Sequence, residues 1–165
     1  AEWLKLFHSK SNVIIKDESI FNLKDTCDTF ISPANSKGIM RGGLDGLYTR
    51  WFGESLEQEA QRLINDNFGG NMLVGKAGLI TIPLSKQPNY SDKVSKMIIA
   101  PTMLHPGMNI AKTDNVKRAM KAILNCAIKG KCQSIAVPGL GTGVGGVSSE
   151  DAARQMYEAY NEIIK

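Results

Sequence analysis

Pro138-Gly139-Leu140-Gly141-Thr142-Gly143-Val144-Gly145-Gly146-Val147 places five glycines in ten residues, between an apolar run (Ser134 to Val137) and an amphipathic stretch (Ser148 to Lys165). The run reads as a strand and the stretch as a helix, with Ala152, Ala153, Met156, Tyr157 and Tyr160 at helical spacing. A loop so poor in side chains lets peptide N–H groups approach a ligand closely, and successive N–H groups form an anion-binding nest. The positive end of the following helix adds to that attraction, so a phosphate or diphosphate is the natural guest. A plain flexible turn is the alternative. The loop also contains G-x-G-x-x-G (Gly141, Gly143, Gly146), but a dinucleotide fold needs a further strand and an acidic residue about 20 positions on. Only one helix fits before Lys165, and no G-K-[ST] follows, so the Rossmann and Walker A readings both fall.

Outward from that loop, the chain reads as strands alternating with helices. Trp3 to Phe7 alternates like a half-buried strand, and Asn12 to Lys16 is β-branched and reads as its neighbour across Ser9-Lys10-Ser11. Thr29 to Ser32 is a short strand stopped by Pro33. A loop to Asp45 and two helical stretches follow, the second being Ser55 to Asn67, closed by Gly69-Gly70. Leu79 to Leu84 and Met97 to Ala100 read as strands, with the polar, Pro88-containing stretch Ser85 to Lys96 as a loop between them. Asn115 to Lys129 is an amphipathic helix that Thr113 or Asp114 can cap. The pattern implies one α/β domain over residues 1–165, a three-layer α/β/α sandwich around a mixed sheet of roughly six strands.

Composition narrows the partners. Of 165 residues, 42% are hydrophobic and 22% charged, as in soluble folded proteins. The net charge of +4 and a pI near 9.0 come from interspersed charges, not the clustered basic face of a duplex-DNA binder. Apolar runs are too short to span a bilayer, and no secretory signal opens the chain. Cys27, Cys126 and Cys132 are odd in number and lack C-x-x-C spacing, which suits an intracellular, cytoplasmic protein without disulfides or a zinc knuckle. His8 and His105 form no metal-binding pair, so no metal is expected.

A second loop, Ser32 to Gly46, also follows a strand at its carboxyl end, the edge where open α/β sheets bind ligands. Asn35 carries an amide able to donate to and accept from sugar hydroxyls, and Gly42-Gly43 let the backbone pass close to a ligand. Asp45 stands at the mouth of the next helix, where it can serve as a ligand-facing carboxylate, an N-cap, or both. An Asx-turn is the corresponding alternative for Asn35.

Together the two loops resemble those of a macro domain, the ADP-ribose-binding module. Asn35 matches the last Asn of the family's N-A-A-N motif. Gly42-Gly43-Leu44-Asp45 matches the G-G-V-D segment of MacroD-type ADP-ribosyl hydrolases, at the same ten-residue offset. Pro138 to Gly146 matches the diphosphate loop P-x-x-S-T-G-x-[FY]-G. The closest resemblance is to stand-alone bacterial and phage-type members, which carry S-P-A-N and P-G-L-G-T-G-V-G. Departures are Ser32-Pro33 for Asn-Ala, Met40-Arg41 for two glycines, Gly141 for Ser, and Gly145 for the aromatic residue that packs on the distal ribose.

The resemblance implies an ADP-ribose site made by Asp17 or Glu18 at the adenine amine, then Ala34, Asn35, Gly42, Gly43 and Leu44. The diphosphate then lies on Gly139, Gly141, Thr142, Gly143, Val144, Gly145 and Gly146. It implies no cofactor, a monomer, and ADP-ribose or an ADP-ribosylated macromolecule as partner, with nucleic acid only as a candidate modified substrate. Two functions follow. One is hydrolysis of an ADP-ribosyl linkage, or processing of ADP-ribose 1″-phosphate, with Asp45 and Asn35 as catalytic residues. The other is a non-catalytic reader or sensor of ADP-ribose or a related NAD metabolite, which the glycine at position 145 favours.

Overall fold

A computed structural model describes residues 1–83 and 93–165. Four strands form one sheet: β1 (Thr29–Ser32), β2 (Gly78–Thr81), β3 (Lys96–Ile99) and β4 (Ile135–Ala136). Their order is β2-β3-β1-β4. β1 runs parallel to β3 and β4, while β2 is antiparallel to β3, so the sheet is mixed. Among the described residues five α-helices accompany it: α1 (Glu2–Phe7), α2 (Gly43–Phe52), α3 (Ser55–Phe68), α4 (Asn115–Lys129) and α5 (Ser149–Ile163).

Side-chain alternation along the strands divides the interior in two. Ile31 and Ile98 face a core built with Val116, Met120 and Ile123 of α4, Met156 and Tyr160 of α5, and Phe7 of α1. Phe30, Met97 and Ile99 face the opposite core, with Tyr48 and Phe52 of α2 and Leu56, Ala60 and Ile64 of α3. Both faces of β1 and β3 are therefore covered, which is why apolar residues sit side by side in them, Phe30-Ile31 and Met97-Ile98-Ile99, instead of alternating with polar ones. The expected α/β/α layering holds.

The strand count differs: four among the described residues, where roughly six were expected. Trp3 to Phe7 is helical, because Trp3, Leu6 and Phe7 lie at i, i+3, i+4 and pack on the α5 side while Leu4 is left 57% exposed. Phe7 meets the rings of Tyr157 and Tyr160 edge-on at 5.2 and 5.5 Å. Asn12 lies in a turn, and residues 13–16 are irregular and join no strand. Val13 and Ile15 rest on the first core, and Asn12 accepts a hydrogen bond from the Tyr160 hydroxyl. The helix read over Asn115 to Lys129 is present with those bounds. The loop expected from Ser85 lies outside the described residues up to position 92, and Lys96, its expected last residue, opens β3 instead.

Candidate functional site

Because β4 and β3 both flank β1 in parallel, the segments that follow all three leave the same edge of the sheet. Beyond β1 the backbone stays beside the exit of β3: Ala34 donates to Ala100 O at 3.2 Å and accepts from Thr102 N at 3.0 Å. Both backbone polar groups of Ala34 are thus occupied, and its side chain is in the core. Asn35 is 7% exposed and organises the loop around itself. Its Oδ1 accepts from Lys37 N (3.1 Å) and Ile39 N (3.2 Å), and its Nδ2 donates to Ile39 O (2.8 Å). This is the Asx-turn, which leaves one amide hydrogen for anything else. Met40 fills the core under α2 and α3, and its N–H donates to Glu57 Oε2 at 2.7 Å.

Gly42 is the N-cap of α2, and Gly43 enters the helix at φ 54°, a left-handed value that favours glycine. Asp45 lies in the first turn and makes no capping hydrogen bond. Its Oδ1 instead accepts from the buried Ser32 hydroxyl at 2.6 Å, tying the end of β1 to the start of α2. Burial raises the Asp45 carboxyl from the usual 3.8 to about 6, opposed by the Ser32 hydrogen bond. Asp45 Oδ2 keeps access to solvent, for the one sealed side-chain polar atom without a partner among the described residues is Asn71 Oδ1. Nearby, Tyr48 donates to Ile31 O at 2.8 Å, and burial holds its phenol well above its ordinary range, so it stays neutral.

The glycine-rich loop is pinned at both ends by Leu140 and Val147, which are buried. Gly146 N donates to Gly143 O (3.1 Å), Val147 N to Gly141 O (3.0 Å), and Gly145 O accepts from Ile110 N (2.8 Å). Meanwhile the N–H groups of Thr142, Gly143, Val144 and Gly145 donate to no acceptor among the described residues. Two glycines are required by contact. A Cβ on Gly141 (φ 72°) would sit 3.0 Å from Ile110 and Val116, and one on Gly145 would sit 2.7 Å from Gly141 O. Gly145 therefore cannot carry the aromatic ring of other family members on this backbone. At Gly143 a Cβ meets nothing within 4 Å. The end of α5 is less electropositive than the sequence suggested: Ser148 accepts from Asp151 N at 3.1 Å, and Glu150 and Asp151 occupy the first turn.

A cleft of about 440 Å³ opens beside these loops, with Asp17, Glu18, Leu44 and Gly139 among its walls. That volume is typical of small-molecule sites. Of the residues expected at the site, those four are brought together. Asn35, Asp45, Gly42, Gly43 and Gly141 to Gly146 lie on the same edge of the fold without lining the cleft. Sequence reasoning missed Trp3 and Phe21, which do line it, and Ile110, which holds Gly145. It also missed Ser32 as the partner of Asp45, although the substitution at that position in the family motif was the available signal. Among the described residues no group of three or more His, Cys, Asp or Glu could hold a metal, and no helix is long and apolar enough to cross a membrane.

The model of the macro domain family matches residues 31–156, which include both loops. This chain belongs to the macro domain family. It is 37% identical over 131 residues to an uncharacterized protein of Aquifex aeolicus, covering 79% of this macro domain chain and 71% of that protein. It is 36% identical over 132 residues to an uncharacterized protein of Aeropyrum pernix, covering 80% of this chain but only 62% of the relative. Among solved structures, the macrodomain of Mycobacterium tuberculosis DarG is similar, with a TM-score of 0.68, 19% identity and 85% of each chain covered. An Oceanobacillus iheyensis macrodomain variant with ADPR gives 0.69 and 18%, covering 86% of this chain and 73% of its own. Thermosipho africanus DarTG in complex with ADP-ribose gives 0.67 and 20%, covering 84% of this chain and 36% of its own. These structural likenesses show the fold alone.

Proposed function

We propose that residues 1–165 act as one ADP-ribose-binding domain, with the adenine at the Asp17–Glu18 end of the cleft and the diphosphate on the glycine-rich loop. The observation that carries this reading is the run of four unpaired N–H groups, Thr142 to Gly145, on a loop beside that cleft. Successive unpaired backbone amides can stabilise an anion without a lysine or arginine. Two solved macrodomains of similar fold contain ADP-ribose, which supports the same ligand here. Gly143→Val tests it, since the added side chain points into open space and leaves the fold intact. Calorimetry should show ADP-ribose binding to the parent and a large loss in the variant. No binding to the parent, or equal affinity in a folded variant, refutes the reading.

The finer reading is hydrolysis. A water attacks the anomeric carbon of the distal ribose, the bond to the modified group breaks, and the water's proton passes to a base. Asp45, raised to about 6, is matched to that role near neutral pH. Its charge also stabilises the positive charge that develops on the ribose. Asn35 acts on it by holding the loop that positions the ribose. The reader reading is favoured by one observation, that the backbone at Gly145 leaves no room for the ribose-packing aromatic. De-modification assays on Asp/Glu-, Ser-, Arg- and nucleic-acid-linked ADP-ribose separate the two: a reader binds without turnover on any of them.

A further inference from the structure

We propose that Trp3, carried by α1, is a stacking residue that gives the cleft its preference for a nucleotide bearing a purine base. This rests on the ADP-ribose reading and names a contact within it. The cleft draws on both layers, taking Trp3 from the α1–α5 layer and Phe21 and Leu44 from the α2–α3 layer, with Ala136 and Val137 also in its lining. Its lining thus combines aromatic and aliphatic side chains with Asp17 and Glu18, both exposed. A flat group with apolar faces and hydrogen-bond donors on its edge satisfies that combination, and a purine with an exocyclic amine is such a group.

The two aromatic walls are held by different means. Trp3 is half-buried, its helix fixed by Phe7 against Tyr157 and Tyr160. Phe21 is backed on the side of Trp51 by ring stacking at 4.6 Å and meets Phe30 and Tyr48 edge-on at 6.2 and 5.8 Å. Neither ring needs to be ordered by the ligand, so stacking is not offset by much lost side-chain freedom. The half-exposed face of Trp3 is also accounted for: a large aromatic side chain on a six-residue helix lines a cleft instead of completing the core.

The test uses Trp51→Phe, which leaves Trp3 as the sole tryptophan. Titrating it with ADP-ribose, AMP and ribose 5-phosphate, with excitation of the indole, should give quenching by the first two and none by the third. In the parent, Trp3→Leu should weaken ADP-ribose by roughly tenfold or more, the scale of one lost base–aromatic stack, and Trp3→Phe should restore most of it. Circular dichroism checks that Trp3→Leu is folded; if it is not, the fluorescence arms and Trp3→Phe decide alone. ADP-ribose that binds by calorimetry but leaves Trp3 emission unchanged overturns the proposal while the binding function stands. Absence of ADP-ribose binding overturns the functional reading instead, and AMP then decides whether the base site exists: quenching supports it, silence overturns it.

Discussion

Replacing Asp45 by Asn exchanges an ionisable side chain for a neutral one of the same shape at a position where the fold penalises charge. Burial raises the carboxyl from 3.8 to about 6, against the lowering effect of the Ser32 hydrogen bond. The folded protein therefore holds this proton more tightly than the unfolded chain does. Stability is greatest below the unfolded value, falls as pH rises from about 4 to about 6, and stays lower above that window. At about 1.4 kcal/mol per pH unit, the native state loses about 3 kcal/mol by ionising Asp45. Asn cannot ionise, and its carbonyl oxygen still accepts from Ser32. Asp45→Asn should therefore be more stable than the parent near pH 7.5 by up to about 3 kcal/mol, or roughly 6–12 °C in melting temperature. The advantage should fade as pH falls through about 4 and vanish below about 3, where Asp45 is protonated in both states. Urea denaturation of both proteins across that range measures it. A stability difference that does not change with pH would refute the burial argument. On the hydrolase reading, the same variant should lose turnover while keeping ADP-ribose affinity within about tenfold, so stability and activity move in opposite directions. Turnover at the parent rate would remove Asp45 from the chemistry.

Gly145→Tyr should not restore the missing aromatic contact: with its Cβ 2.7 Å from Gly141 O, the loop must shift, and melts and calorimetry should show about 1–3 kcal/mol of destabilisation and weaker ADP-ribose binding. Asp17→Ala should weaken ADP-ribose roughly 10- to 100-fold with Glu18→Ala nearly silent, as measured by calorimetry; the opposite result moves the adenine contact to Glu18. Asn35→Ala leaves the N–H groups of Lys37 and Ile39 without their acceptor and should cost about 1–3 kcal/mol in urea denaturation while also lowering ADP-ribose affinity.

What the chain disclosed in advance followed the length of its signals. Helix α4 presents Val116, Ala119, Met120, Ile123, Leu124 and Ala127 over four turns, enough repetition to fix its bounds. Strands β1 and β3 carry adjacent apolar residues, Phe30-Ile31 and Met97-Ile98-Ile99, because both faces are covered. Trp3 to Phe7 is too short for periodicity to decide, since Trp3, Leu6 and Phe7 fit one face of a helix as well as alternation fits a strand. The two loops were legible because glycine marks backbone positions that other residues cannot take, as Gly141 and Gly145 illustrate. Contacts made by tertiary approach were not. Nothing local to Ser32 announces that its hydroxyl meets a carboxylate thirteen residues on, or that Trp3 and Phe21 share a cleft wall.

Strand β4 pairs with β1 through only two residues, Ile135 and Ala136, and among the described residues it forms one margin of the sheet. A margin that short gives an incoming extended segment almost no ladder to copy, which is one of the ways proteins discourage self-templated aggregation. Lengthening β4 past Val137 would expose a longer template but meets Pro138, the first residue of the glycine-rich loop, which has no N–H for a ladder. Brevity at this margin thus keeps the ladder open to an incoming strand short and leaves the glycine-rich loop outside the sheet.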